Sequence, residues 1–172
     1  ATAIRDTNTG HGLSAVPTQT RNGGHDTGLC DFRIDNVQVY GHDGNHYGFY
    51  SLNPICGTVS HFRSYGGGGV YIATDVGSGN MGNILFLHPY VSVTNSGTAA
   101  GYKLSAGSAV TPGILNLIVF VRPQANVSGA AGANNQLTYT DKAGVADCQY
   151  IELYGADFEG PQAVVPQLGT GT

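Results

Sequence analysis

The loop at residues 41–46 holds the side chains best suited to binding a metal ion. Its sequence, Gly-His-Asp-Gly-Asn-His, places the imidazoles of His42 and His46 four positions apart, with the carboxylate of Asp43 between them. Imidazole and carboxylate ligate transition metals, and aspartate and asparagine oxygens suit calcium. Residues four apart converge on a helix but need not converge in a turn, where aspartate, asparagine and glycine are common in any case. We therefore expect a solvated turn, and keep a metal site formed by His42, Asp43 and His46 as the alternative hypothesis.

Residues 77–82 match the Gly-x-Gly-x-x-Gly pattern of dinucleotide-binding loops. Such a loop holds a pyrophosphate where a helix follows it, because the N–H groups at the helix N-terminus bind the phosphates. The next residues, 84–93, are typical of a strand and include Pro89, which the interior of a helix does not tolerate. We interpret the segment as a turn and expect no cofactor.

No spacing in the chain sets a nucleophile, a base and an acid against one another. The six histidines and nine aspartates occur without a nucleophile elbow or a His-Glu-x-x-His pattern, and Glu152 is predicted to be an exposed strand residue. Cys30, Cys56 and Cys148 form no Cys-x-x-Cys pair, so we expect buried thiols, with one disulfide plus a free thiol as the alternative. The sequence therefore predicts a protein that is not an enzyme.

The elements that carry these residues are predicted to be β-strands. Apolar and polar residues alternate along 32–35, and the phase slips at Asn36, which indicates a β-bulge. The turn at 41–46 and the aromatic residues after it indicate a hairpin. Further strands, separated by glycine-rich stretches, are predicted at 58–65, 70–76, 84–94, 114–121, 136–140 and 148–154. About eight strands with turn signals between them predict an all-β fold, an antiparallel β-sandwich or jelly roll.

The two ends of the chain differ in composition from its middle. We predict an extended N-terminal arm at residues 1–28, a β-sandwich domain at 29–159 and an extended C-terminal tail at 160–172. The arms have few large aliphatic side chains, so burying them returns little free energy against the entropy lost when their backbone is ordered. We expect neighbouring subunits to supply the missing stabilisation, the alternative being that the arms lie along their own domain. The predicted assembly contacts are Ile4, Leu13, Val16, Tyr47, Tyr50, Val164, Val165 and Leu168.

The composition of the surface favours a protein that packs against other subunits. Charged residues make up 10% of the chain, against about 25% in an ordinary domain. The few basic residues are scattered, which argues against a nucleic-acid partner. No stretch approaches the roughly 20 apolar residues that span a bilayer, so we expect no membrane partner.

A sugar-binding surface is the alternative function. Aromatic side chains stack on sugar rings, while asparagine and aspartate bind sugar hydroxyls. The chain lacks tryptophan, which weakens this hypothesis. The aromatic residues that would form such a surface are Tyr40, Tyr47, Phe49, Tyr50, Tyr65 and Tyr71.

The start Ala-Thr-Ala-Ile, the glycine-, threonine- and asparagine-rich strands with few charges, and the low-complexity arms give the chain a resemblance to a group of known proteins. It resembles the small β-rich virion proteins of tailed bacteriophages, especially head decoration proteins. The resemblance implies a structural sandwich or jelly-roll subunit, commonly trimeric, that clamps a major shell protein. We therefore expect a homo-oligomer, with a trimer favoured, located in the virion. A carbohydrate-binding adhesin and a subunit of an extracellular filament or tube are the alternatives.

Overall fold

The structure is a computed structural model that describes residues 2–5, 10–15, 30–41, 43–74, 80–95, 97–106, 113–128, 137–140, 146–159 and 165–167. Within these residues all the regular secondary structure is β-strand, so the predicted all-β class is confirmed. No helix in the described part of the chain has the length and hydropathy to cross a membrane.

The described residues form seventeen strands in three sheets, numbered along the chain, and within each sheet the spatial order follows the chain order. Sheet A contains β1 (Thr2–Arg5), β4 (Val37–Tyr40), β7 (Arg63–Gly66), β10 (Tyr90–Val93), β13 (Gln124–Val127) and β16 (Asp157–Glu159). Sheet B contains β2 (Leu13–Ala15), β5 (Tyr47–Leu52), β8 (Gly68–Thr74), β11 (Tyr102–Ala106), β14 (Leu137–Thr140) and β17 (Val165–Gln167). Sheet C contains β3 (Cys30–Asp35), β6 (Ile55–Ser60), β9 (Asn80–Leu87), β12 (Gly113–Val121) and β15 (Ala146–Tyr154).

The chain passes through sheets A, B and C in turn and then begins the next coil, so each strand pairs with the third strand after it. All the pairings are parallel. The result is a three-sided parallel β-solenoid with five complete coils, and β16 and β17 begin a sixth. Each coil buries its inner face against its neighbours in the stack.

The predicted antiparallel sandwich or jelly roll is therefore wrong. Alternation within a strand shows which side chains face the core, but it is the same for parallel and antiparallel pairing. The partner of each strand lies far along the chain, from 21 residues for Phe49 and Val70 to 36 residues for Leu13 and Phe49. The predicted hairpin after Tyr40 is wrong for the same reason, since β4 and β5 belong to different sheets.

Short corners join sheet C to sheet A in every coil. The first corner residue has a left-handed backbone, and these residues are Asn36 (φ 56°), His61 (φ 50°), His88 (φ 50°), Arg122 (φ 51°) and Gly155 (φ 62°). The N–H groups of the first four donate hydrogen bonds of 2.6–2.9 Å to carbonyls of the next coil. A left-handed residue thus turns the chain while the ladder of hydrogen bonds between coils continues. The predicted bulge at Asn36 is in fact such a corner.

The core is a set of stacked rows along the solenoid axis. Register places Val59, Phe86 and Phe120 above one another, and all three are fully buried. The rings of Phe86 and Phe120 stack with their centroids 4.7 Å apart. Tyr102 is also buried, and its hydroxyl donates to the carbonyl oxygens of Pro89 and Gln124.

The described parts of the predicted arms continue two of the sheets. Strand β1 pairs with β4, β2 pairs with β5, and β17 pairs with β14. Leu13 packs against the core. The other residues of 1–28 and 160–172 lie outside the described ranges, except 10–12. That neighbouring subunits hold the arms stays a prediction.

Candidate functional site

The outer face of sheet C carries apolar side chains where the other two sheets carry polar ones. In β9, Ile84 and Phe86 face the core and are at most 1% exposed, while the alternate residues Leu85 and Leu87 are partly exposed on the outside. Strand β12 repeats the pattern, with Val119 and other apolar residues outward. Strands of parallel sheets show such continuous apolar runs where both faces are covered. The core of the solenoid covers the inner face of sheet C. The apolar residues on its outer face suit contact with a second protein surface.

Two outward rows run across the coils of sheet C. Register gives one row, which we call the inner row of the face, as Arg33, Thr58, Leu85, Val119 and Glu152. It gives the second, the outer row of the face, as Asp35, Ser60, Leu87, Val121 and Tyr154. The apolar centre of both rows lies in the third and fourth coils, and polar or charged residues lie at both ends.

A third row beside these is held in a left-handed backbone conformation. Its members bend each sheet C strand at the same point, and they are Asp31 (φ 49°), Cys56 (φ 52°), Asn83 (φ 58°), Leu117 (φ 52°) and Tyr150 (φ 54°). Asparagine and aspartate tolerate this conformation, but large apolar and aromatic residues rarely adopt it. Leu117 is nevertheless 38% exposed and Tyr150 71% exposed, so their burial does not explain the strain. Strained residues of this kind cluster at functional sites.

The bend produces a shallow groove of about 480 Å³ on the outside of sheet C. The groove is polar toward β3, where Asp31, Cys56 and Thr58 line it, and apolar toward β12, where Leu117 and Val119 line it. The side-chain amide of Asn83 donates to the sulfur of Cys56 at 3.3 Å. We call the groove and the two rows beside it the sheet C face.

The three cysteines are free thiols, as expected. The expectation that all three are buried is correct for one of them only. Cys148 is buried, Cys56 is partly buried, and Cys30 is exposed at the edge of sheet C. Desolvation, followed by the nearby carboxylate of Asp31, raises the pKa of the Cys30 thiol, which disfavours the reactive thiolate.

The loop predicted as a turn or a metal site is tied together by its own side chains. The carboxylate of Asp43 accepts a hydrogen bond from the N–H of Asn45 at 2.8 Å and lies 2.7 Å from Nδ1 of His46. The hydrogen bond from Asn45, followed by that of His46, holds the pKa of Asp43 below its ordinary value. Nδ1 of His11 accepts from the N–H of Tyr47. Among the described residues no three histidine, cysteine or acidic side chains form a metal-binding group, but His42 lies outside them, so this metal site stays a hypothesis.

The six aromatic residues proposed for sugar binding separate into three places. Phe49 and Tyr47 are buried, at 0% and 4% exposed, and cannot stack on a ligand from solvent. Tyr50 and Tyr71 lie on the outside of sheet B, where the amine of Lys103 sits 4.6 Å from the ring centroid of Tyr71.

The other two, Tyr40 and Tyr65, lie on the outside of sheet A. Their rings are nearly parallel, at 6°, with centroids 5.0 Å apart. The ring of Tyr90 continues the row 5.6 Å beyond Tyr65. Further along this face the side-chain amide of Gln124 donates to Asp157 and that of Asn126 donates to Glu159.

The predicted assembly contacts lie in different parts of the molecule. Ile4 lies in β1 and Val165 in β17, while Leu13 and Tyr47 have intramolecular contacts and Tyr50 is partly exposed. Val16, Val164 and Leu168 lie outside the described residues. None of the five that the structure describes belongs to the sheet C face.

Sequence reasoning missed the sheet C face, although a signal was present. The runs 84–87 and 117–121 are apolar at every position, and an ordinary one-sided strand would alternate. The left-handed row gave no signal, because Leu117 and Tyr150 are not residues that favour that conformation. No protein-family model, curated protein or solved structure matches this chain.

Proposed function

We propose that this chain is a structural subunit of a large assembly, and that its copies are held together through the sheet C face. The single observation that carries the proposal is that residues 84–87 of β9 and 117–121 of β12 are apolar on both faces of the sheet. Its partners are copies of itself and, by the resemblance in composition to phage virion proteins, a major shell protein. The proposed location is the virion, with an extracellular filament as the alternative.

The chemistry of the face supports contact with protein. Exposed apolar patches with polar rims mark protein interfaces, and interface centres are depleted of charge. The centre of the sheet C face has Leu85, Leu87, Val119 and Val121 and no charged side chain. The charges of the face lie at its two ends, and they are Asp31, Arg33, Asp35 and Glu152.

The shape of the molecule also suits a structural role. Stacked coils form a rigid unit whose flat faces extend along one axis. Sheet C ends at β15, where the inward-facing Leu153 is 40% exposed, and among the described residues no strand pairs with its outer edge.

The experiment adds charge to the centre of the face. In light scattering after gel filtration we expect the wild-type protein to be oligomeric. The double variant Leu85→Asp with Val119→Asp should be monomeric. The matched control is Ser92→Asp with Gln38→Asp, which adds the same charge to outward positions of sheet A. Near-ultraviolet circular dichroism checks that each variant is folded. A wild-type protein that is monomeric at all concentrations, or an oligomer unaffected by the Leu85 and Val119 changes, would contradict the proposal.

Binding of a linear carbohydrate on sheet A is the second candidate function. The observation that favours it is the row of Tyr40, Tyr65 and Tyr90, continued by the amide–carboxylate pairs of β13 and β16. Aromatic rings offer apolar surface to sugar C–H groups, and the amides and carboxylates bind hydroxyls.

A glycan array with the wild-type protein tests this candidate. Saturable binding that Tyr40→Ala with Tyr65→Ala removes, and that Tyr50→Ala on sheet B retains, would support it. An array without saturable binding would rule it out.

A further inference from the structure

The inner row of the sheet C face has opposite charges at its two ends. Arg33 occupies it in the first coil and Glu152 in the fifth, with Leu85 at the centre. Neighbours in the row are one strand spacing apart, so the two charges are separated by about 19 Å. The order is thus basic, polar, apolar, apolar, acidic.

Such a row is complementary to itself when a second copy runs in the opposite direction. A twofold axis at Leu85 places Leu85 against its own equivalent, Thr58 against Val119, and Arg33 against Glu152. In a twofold interface each such contact occurs twice, which doubles the effect of a favourable pair. A copy running in the same direction would instead place Arg33 beside Arg33 and Glu152 beside Glu152, and like charges across an interface are unfavourable.

The carboxylates of Asp31 and Asp35 flank Arg33 in β3, and among the described residues neither forms an ion pair with it within 4 Å. Asp35, the carboxylate two residues from Arg33, accepts a hydrogen bond from the hydroxyl of Ser60 and lies 3.7 Å from Nδ1 of His61. The hydroxyl of Tyr154 donates to Glu152 at 2.7 Å and fixes the position of that carboxylate.

The sizes of the neighbouring side chains are complementary in the same arrangement. In the left-handed row, Asn83 lies at the axis, and Leu117 of one copy lies opposite Cys56 of the other. On the outward side of the groove Cys56 and Thr58 are smaller than Leu117 and Val119, so the larger outward side chains of one copy face the smaller ones of the other.

We propose that two copies of this chain pack antiparallel through their sheet C faces, with Arg33 of each copy paired to Glu152 of the other. This inference rests on the proposed assembly function and names its contact and symmetry. It replaces the expected trimer with a twofold pair as the basic unit of the assembly.

A charge swap tests the proposal on the full chain. Arg33→Glu alone and Glu152→Arg alone should each raise the dissociation constant of the dimer by about tenfold or more in sedimentation equilibrium at low salt, since each places like charges together. The double variant should restore the wild-type dissociation constant. Arg63→Glu on sheet A, an exposed arginine outside the face, is the matched control and should change nothing.

The outcomes separate this proposal from the assembly function. If neither single change weakens the dimer or larger oligomer, or if the double variant does not restore it, the antiparallel contact is wrong. The proposed assembly function is not contradicted by either result. A wild-type protein that stays monomeric overturns both. Circular dichroism of each variant shows whether a variant that does not dimerise is still folded.

Discussion

At the scale of single residues, two buried tyrosine hydroxyls bind backbone groups of other parts of the stack, and the bond of Tyr47 joins the second coil to the fourth. The hydroxyl of Tyr47 accepts a hydrogen bond from the N–H of Ala100 at 3.1 Å, and that of Tyr102 donates to two backbone carbonyls. Burial raises the pKa of Tyr47 to about 12 and that of Tyr102 well above 10. Both residues are therefore kept neutral by the folded structure.

We predict that the fold loses stability in alkaline solution through these groups. In the unfolded chain Tyr47 ionises near its ordinary pKa of 10.0, but the folded state keeps it protonated to about 12. Its contribution is therefore complete below pH 10 and is lost as the pH rises toward 12. Tyr47→Phe should cost about 1 kcal/mol at pH 7 through the lost hydrogen bond. Above pH 10 the free energy of unfolding should fall with pH less steeply for this variant than for the wild type. The difference in slope is about 1.4 kcal/mol per pH unit, the value for one proton. Urea unfolding from pH 7 to 11 measures both, and equal slopes for variant and wild type would contradict the prediction.

At the scale of elements, the inward rows of side chains decide the stability of each sheet. Phe120 is fully buried in β12, stacks on Phe86 and contacts Tyr102 edge to face, whereas Tyr90 lies on the outside of β10. Stacking in register means that one truncated ring leaves a cavity touching two coils.

We expect Phe120→Ala to lower the free energy of unfolding by about 3–5 kcal/mol, the usual cost of removing a buried phenylalanine. Tyr90→Ala, which removes a larger side chain from the surface, should cost less than about 1 kcal/mol. Chemical denaturation of the two variants under one set of conditions gives the comparison. Similar losses in both would mean that the stacked row is not the main source of stability.

The strands themselves could be predicted from the sequence, but their connections could not. The predicted strands at 114–121 and 148–154 lie within β12 and β15, and the alternation around Phe32 and Ile34 correctly placed both residues toward the core. The segment 84–94, predicted as one strand, is two strands in different sheets with a corner at His88. A corner of one or two residues leaves the apolar pattern almost unbroken, so periodicity does not show that the chain has changed sheet. The direction of pairing depends on contacts between coils, which no local pattern contains.

At the scale of the whole molecule, stability is close to a sum over coils and the contacts between neighbouring coils. Ser60 and Leu87 occupy equivalent positions in sheet C, as do His61 and His88 at the corners. The residues 61–87 are therefore one complete repeat that contacts mainly the coils before and after it.

We predict that deleting residues 61–87 gives a shorter solenoid that still folds. Joining Ser60 to His88 keeps the corner conformation and the inward register of sheet C. Far-ultraviolet circular dichroism should retain the β spectrum, with a single unfolding transition at a lower denaturant concentration. Deleting residues 61–80 instead joins different positions of the repeat, and this control should not fold. If both deletions were unfolded, the coils would not be interchangeable units.

The corners from sheet C to sheet A also determine where this chain can accept additional sequence. One residue separates β3 from β4, and two separate the equivalent strands of each later coil. Between β3 and β15 the connections at the other two edges have one to nine residues, and fourteen residues separate β2 from β3. Because the first residue of each of the first four corners donates a hydrogen bond to the coil beyond it, a peptide inserted there would interrupt the ladder along this edge. We therefore expect the chain to accept inserted epitopes, tags or binding loops at the other two edges of the solenoid and to unfold when they are inserted at this one.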